Sequence, residues 1–166
     1  MIETQRLIIK PLSYNELKKY VLSPDELAEE LGLRPSQSLM DKETRDAILN
    51  DLLPFMGDPL KKPLFYTLWI MIEKSDKSVI GALCFHGEPD LNGEVEIGYG
   101  TDDGYRNKGY MTEAIAGLVE WIKTQKEVRR VKAETEPDNL SSVKVLENNG
   151  FELLQNSGNL VFKLNL

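Results

Sequence analysis

Two hydrophobic periods divide this chain, alternation in some stretches and recurrence every three to four residues in others, and they predict strands and helices in turn. Arg6-Leu7-Ile8-Ile9-Lys10, ended by Pro11, reads as a strand. Ser13 followed by Glu16 has capping-box spacing for a helix through Tyr20. Ser23 as cap and Pro24 at the first helical position start a second helix over 25–31, stopped by Gly32. A third amphipathic piece covers 41–53 and ends at Pro54. Residues 65–73 and 78–86 read as an antiparallel hairpin about a polar turn at 74–77. After a loop at 87–93, Val95, Ile97 and Tyr99 alternate with Glu96 and Gly98 as in a half-buried strand. A polar loop over 101–107 leads to a helix from Tyr110 to Lys126, with Ile115, Leu118, Val119 and Ile122 on one side. A strand over 129–135 and a helix over 139–148 follow, the helix closed by Asn149-Gly150. Strands at 151–155 and 159–164, turning about Asn156-Ser157-Gly158, end the sequence. The order β-α-α-α-β-β-β-α-β-α-β-β predicts an α/β fold in which three early helices cover one end of a sheet and shape a pocket.

Length and charge narrow the function. A chain of 166 residues supports one well-buried core, so a single domain over 1–166 is expected. Twenty basic against 27 acidic side chains give a net charge of −7, too acidic to neutralise a phosphate backbone, so a nucleic-acid partner is not expected. The longest apolar runs are strand-sized, which predicts no membrane span. The first residues lack the apolar core of a signal peptide. Cys84 has no second cysteine to pair with, as suits a reducing compartment. The expected location is the cytoplasm.

The stretch 94–113 carries the clearest chemistry. Arg106 and Lys108 stand just before a helix whose first N–H groups have no partner, at the end where the helix dipole favours anions. This is how a chain cradles phosphate, and Gly109 removes a side chain so that a ligand can approach the backbone. The alternative is an ordinary βα turn with two solvated cations. Neither a Walker A loop nor a dinucleotide-binding G-x-G-x-x-G turn is present.

Arg106-x-x-Gly109-x-Met111 resembles the Arg/Gln-x-x-Gly-x-Gly/Ala signature of the GNAT acyltransferase superfamily, departing only at Met111. A second motif, Asn139-x-x-Ser142 running on to Gly150-Phe151, is similar to the superfamily's Asn-x-x-Ala/Ser segment and nearest to its ribosomal-protein N-terminal acetyltransferase branch. The resemblance spans nearly the whole chain. It implies a mixed, mostly antiparallel sheet of about seven strands with flanking helices, and acetyl-CoA as cosubstrate with no metal. It further implies a pyrophosphate cradle from Arg106, Asn107, Lys108, Gly109, Tyr110, Met111 and Thr112, with Asn139 and Ser142 supplying the rest of the CoA site. Asn139 also reads as a plain helix N-cap. The strand before the cradle should splay from its neighbour, freeing the N–H of Tyr99 or Thr101 to polarise the thioester carbonyl. Gly98 and Gly100 are consistent with distortion there.

Acetyl transfer to an amine requires a neutral nucleophile, a polarised carbonyl and a proton for the thiolate. Glu96, on the strand face opposite Val95 and Ile97, is the first candidate base, with Glu94 and Glu88 as neighbouring rivals. The resemblance adds Glu134, five residues before Asn139. His86, the single histidine, is a further titratable group near the hairpin's end. Many superfamily members carry a general-acid Tyr seven residues after the Asn; Leu146 stands there, leaving Ser142, water or no protein acid. Two functions stay open: an acetyl-CoA-dependent N-acetyltransferase acting on a protein N-terminus or small amine, and a non-catalytic CoA-binding module. The resemblance implies that the acceptor's determinants fall in 13–55 and 86–93, which carry no readable code. The final strand pair offers an edge that a second subunit can share, making a homodimer.

Overall fold

A computed structural model describes residues 1–35 and 40–166, and the side chains of all of these except 155–157. The elements are β1 (Ile2–Glu3), β2 (Leu7–Pro11), α1 (Tyr14–Leu22), α2 (Pro24–Leu31), α3 (Lys42–Ala47), α4 (Leu53–Met56), β3 (Leu68–Glu73), β4 (Val79–Phe85), β5 (Glu94–Thr101), α5 (Tyr110–Lys123), β6 (Arg130–Thr135), α6 (Leu140–Asn148), β7 (Glu152–Ser157) and β8 (Asn159–Asn165). The strands form one sheet in the order β1-β2-β3-β4-β5-β6-β8-β7, antiparallel throughout except for the β5–β6 pair. The count exceeds the expected seven by β1, whose two residues are too short to show a period.

β3 is buried along its whole length, which is why Leu-Trp-Ile-Met-Ile reads as an unbroken apolar run. Its odd-numbered residues, Trp69 and Met71, join Leu83, Phe85, Val95, Ile97, Val131, Ala133 and Phe162 under α5 and α6. Its even-numbered residues, Leu68, Ile70 and Ile72, join Leu12, Leu17, Val21, Ile48 and Leu53 under α1 to α4. The cover on this second face stops at β4. Beyond it the same face of β5, β6 and β8 carries Glu94, Glu96, Arg130, Lys132, Glu134 and Lys163, because no helix is there to bury apolar side chains.

Local signals set most boundaries, and the departures have physical causes. Ser13 and Glu16 form the expected capping box. Ser23 does not cap with its side chain; its N–H closes α1 on the Lys19 carbonyl, and it joins two helices back to back. Pro54 does not end the third helix. The chain widens into a π turn over Ile48–Leu52, with the Leu53 N–H reaching the Ile48 carbonyl, and this slack lets helix resume through Met56 despite the missing proline donor. β3 starts later than predicted because Pro63–Phe65 is a 3-10 turn and the Thr67 hydroxyl is tied to the Leu12 carbonyl at 2.7 Å. No helix among the described residues is long and apolar enough to cross a membrane, and no described cluster of His, Cys, Asp or Glu is arranged for a metal ion.

Candidate active site

α5 begins at a turn that only an unusual backbone can make. Asn107 and Gly109 both take left-handed conformations, at φ 59° and 77°. A β-carbon at 109 would meet only Arg6 Nη2, at 3.5 Å, so the glycine serves its positive φ and the open space beside it. The first intrahelical bond runs from the Glu113 N–H to the Gly109 carbonyl at 3.1 Å, so the N–H groups of Tyr110, Met111 and Thr112 precede it and face outward. Met111 is buried in the main core, so this bulky residue leaves its own N–H unobstructed.

The two cations of this loop close it on itself. Arg106 Nε donates to the Thr101 carbonyl at 3.1 Å and its Nη2 pairs with Asp103 at 2.9 Å. Lys108 Nζ donates to the Gly104 carbonyl at 2.7 Å and lies over the Tyr105 ring. Arg6, which sequence reasoning missed, supports the loop from β2's side: Nη1 donates to the Lys108 carbonyl at 2.9 Å and the guanidinium lies 4.3 Å from the Tyr110 ring centre.

Glu113 anchors Arg6. Its carboxylate accepts from Thr4 Oγ1 at 2.6 Å, the Arg6 N–H at 2.7 Å and Arg6 Nε at 2.6 Å. Burial by itself pushes this carboxyl's pKa up, but the bonds from Thr4 and Arg6 outweigh it and hold the pKa below the ordinary value. A lowered folded-state pKa stabilises the fold above the unfolded pKa, and that contribution is lost as pH falls through the folded value. Glu113→Gln should therefore cost about 1–3 kcal/mol at neutral pH. Denaturant titrations of the two proteins should converge as pH drops below the ordinary carboxylate range; a gap of constant size would contradict the charge-based account.

An open cleft of about 650 Å³ runs from this helix start to α6. Tyr99, Thr101, Arg106, Asn107, Gly109, Tyr110, Met111, Thr112, Asn139 and Ser142 all line it, leaving Lys108 as the one expected cofactor residue outside. Lys144, on the cleft wall, is a cation that the motifs did not reveal. Asn139 acts as N-cap of α6, its Oδ1 accepting from the Ser142 N–H at 3.1 Å. The Tyr99 hydroxyl meets Ser142 Oγ at 2.8 Å across the gap from sheet to helix. Burial pushes the Tyr99 pKa up, keeping the hydroxyl protonated near neutrality. Leu146 is wholly buried in the core and carries no proton. Asn149 Nδ2 donates to the Thr112 carbonyl at 3.2 Å, fixing the start of α5 against the end of α6.

At the floor of the cleft the sheet opens. β5 and β6 pair only from Glu94–Arg130 to Ile97–Ala133. Past that point β5 stays on β4 as far as Thr101, while β6 stays on β8 as far as Thr135. The His86 N–H donates to the Glu96 carbonyl and the Asp102 N–H to the Ile80 carbonyl, so the even-numbered residues of β5 bond β4. By antiparallel alternation, the N–H groups of Tyr99 and Thr101 face the notch, where β6 has left.

The second face of the notch holds both candidate bases in one network. Glu96 Oε1 lies 3.0 Å from His86 Nδ1, and Glu96 Oε2 lies 3.0 Å from Lys132 Nζ. Lys132 also meets Glu134 at 2.6 Å. Hydrogen bonding to Glu134, then to Glu96, raises the Lys132 pKa, so its charge persists through neutrality. Glu94 is held by Lys163 at 2.7 Å and Arg130 at 3.3 Å, and Glu88 by the Lys62 N–H at 2.6 Å, which leaves neither rival at the notch. Glu134 is exposed, whereas Glu96 is half-buried beside the last paired residue of β5.

A family model described as an acetyltransferase (GNAT) domain matches residues 6–152. An uncharacterized N-acetyltransferase of Bacillus subtilis (strain 168), YjdG, is 31% identical over 156 residues, which covers 92% of this chain and 90% of that protein. The ribosomal-protein-serine acetyltransferase of Escherichia coli (strain K12) is 33% identical over 88 residues, 53% of this chain and 49% of that one. Among solved structures, RimL, a ribosomal L7/L12 alpha-N-protein acetyltransferase in complex with coenzyme A, aligns with a TM-score of 0.68 at 15% identity, over 98% of this chain and 96% of that chain.

Proposed function

The chain belongs to the GNAT acetyltransferase family, and from that membership we propose that it transfers the acetyl group of acetyl-CoA to a primary amine, either a peptide N-terminus or a small amine, by direct attack with general-base assistance. The observation that carries this reading is the notch between β5 and β6, with free N–H groups and an anion-binding helix start on one face and a carboxylate network on the other. The pyrophosphate would lie on the N–H groups of Tyr110, Met111 and Thr112, where the left-handed turn at Gly109 leaves room. The N–H of Tyr99 or Thr101 would take the thioester oxygen as it gains charge. Arg106 and Lys108 shape the loop, and Lys144 adds positive charge at the cleft wall.

The acceptor comes to the charged face, where a cationic amine meets Glu96 and Glu134. Glu96 is the better origin of base assistance because it stands beside Ile97, the last residue of β5 paired with β6, and is less exposed than Glu134. The departing thiolate takes its proton through the Tyr99 and Ser142 hydroxyls, which compensate for Leu146. The names of the ribosomal-protein acetyltransferase relatives favour a peptide N-terminus. Acetyl-CoA should therefore release free thiol in the presence of N-terminal peptides or small amines, with acetylated product appearing in equal amount by mass spectrometry. Thermal stabilisation by CoA without thiol release on any amine would instead make the chain a CoA-binding module.

A further inference from the structure

Both oxygens of Glu96 are occupied, Oε1 by His86 and Oε2 by the persistently charged Lys132. A carboxylate so held is poorly placed to take a proton directly from an amine. The carboxylate can only accept, so the 3.0 Å contact puts the imidazole proton on Nδ1 and leaves the lone pair on Nε2. The free nitrogen has a definite place. A β-carbon built on Gly98 would stand 2.9 Å from His86 Nε2 and 3.2 Å from Cys84 Sγ. Gly98 is the first residue of β5 beyond its last pairing with β6, so Nε2 lies over the start of the notch. The absence of a side chain at 98 is what admits the ring there. The His86 side chain is 55% exposed and open to an incoming substrate.

Building on the proposed reaction, we propose that His86 is a catalytic residue, with Nε2 taking the proton of the acceptor amine while Glu96 orients the ring through Nδ1. An ammonium acceptor gives one proton to Nε2. The freed nitrogen lone pair forms the C–N bond at the thioester carbonyl carbon, and the carbonyl π pair moves to oxygen. That pair returns as the C–S bond breaks, and the bonding electrons leave on sulfur. The nitrogen sheds its second surplus proton, sulfur gains one to become the CoA thiol, and the proton held by His86 passes to solvent. Groups facing the ring are Glu96 from β5, with Lys132 of β6 behind it, and Cys84 from β4. Burial pushes the Cys84 thiol up, so it stays neutral. In the adjoining loop Glu88 is held by Lys61 and Lys62, and Tyr66 reaches Gly87.

The test is the pH dependence of kcat/KM for the wild type, His86→Gln and Glu96→Gln, together with the melting shift each shows with CoA. For His86→Gln we expect a fall of about 10²-fold or more and loss of the acidic limb of the profile, with the CoA shift unchanged. Glu96→Gln should keep that limb at a reduced rate. If His86→Gln retains the wild-type profile within a few-fold while Glu96→Gln abolishes the limb, the carboxylate is the base and the proposal is overturned. A wild type that turns over no amine would instead refute the underlying reading of the reaction, a result distinct from either variant's profile.

Discussion

Glu96→Gln should lower turnover by about 10²- to 10⁴-fold on every amine the wild type acetylates, with CoA binding intact. The amide keeps the size of the side chain, and β5 stays paired to β4 and β6 around it. What it loses is the charge that His86 and Lys132 both engage. The cleft proposed for CoA lies on the opposite face of the sheet and is lined by Tyr99 rather than Glu96, so the ligand-induced melting shift should not move. Glu134→Gln should alter the rate only a few-fold, since that side chain is exposed and meets the site only through Lys132. Were Glu134→Gln to take the large loss while Glu96→Gln stayed active, base assistance would pass to β6.

Gly109→Trp should remove the stabilisation that CoA confers. At a hundredfold excess over Kd a ligand adds about 2.7 kcal/mol, which for a chain of this size is a rise of roughly 5–10 °C in Tm at about 2–4 °C per kcal/mol. An indole at 109 would project into the space beside the free N–H groups of α5, where the structure holds nothing nearer than Arg6 Nη2. The variant's own Tm should also fall, because a side chain in the left-handed region costs about 1–2 kcal/mol. The comparison is therefore between shifts with and without CoA, followed by scanning calorimetry. An unchanged shift would place the pyrophosphate elsewhere.

The elements were largely legible because their periods are local. Alternation in β5 and three-to-four spacing in α5 each report a side chain's relation to one nearby core, and the order of elements led correctly to an α/β sheet with flanking helices, matching the GNAT fold that the motifs resemble. The failures were also local in appearance but tertiary in cause. Pro54 looked like a helix end, yet packing of Ile48 and Leu53 against β3 keeps the helix going through a π turn. Ser23 looked like a cap, yet its hydroxyl is displaced from that role by the junction with α1. The motif residues expected to bind CoA fall together in one cleft, apart from Lys108. Arg6 could not be found from the motif, because its contact with Lys108 joins residues 102 positions apart.

From the sequence alone came the α/β class, the family resemblance and the helix start suited to an anion, since each depends on residues within a few positions of one another. The resemblance had implied a splay that frees the Tyr99 or Thr101 N–H; the tertiary structure alone decided that pairing ends at Ile97–Ala133 and that His86, Glu96, Lys132 and Glu134 form one network. Strand pairing ends where two halves of a sheet follow different neighbours, and an ionisable side chain's role depends on what faces it across strands. Neither is encoded in spacing along the chain, so the mechanism had to wait for the fold.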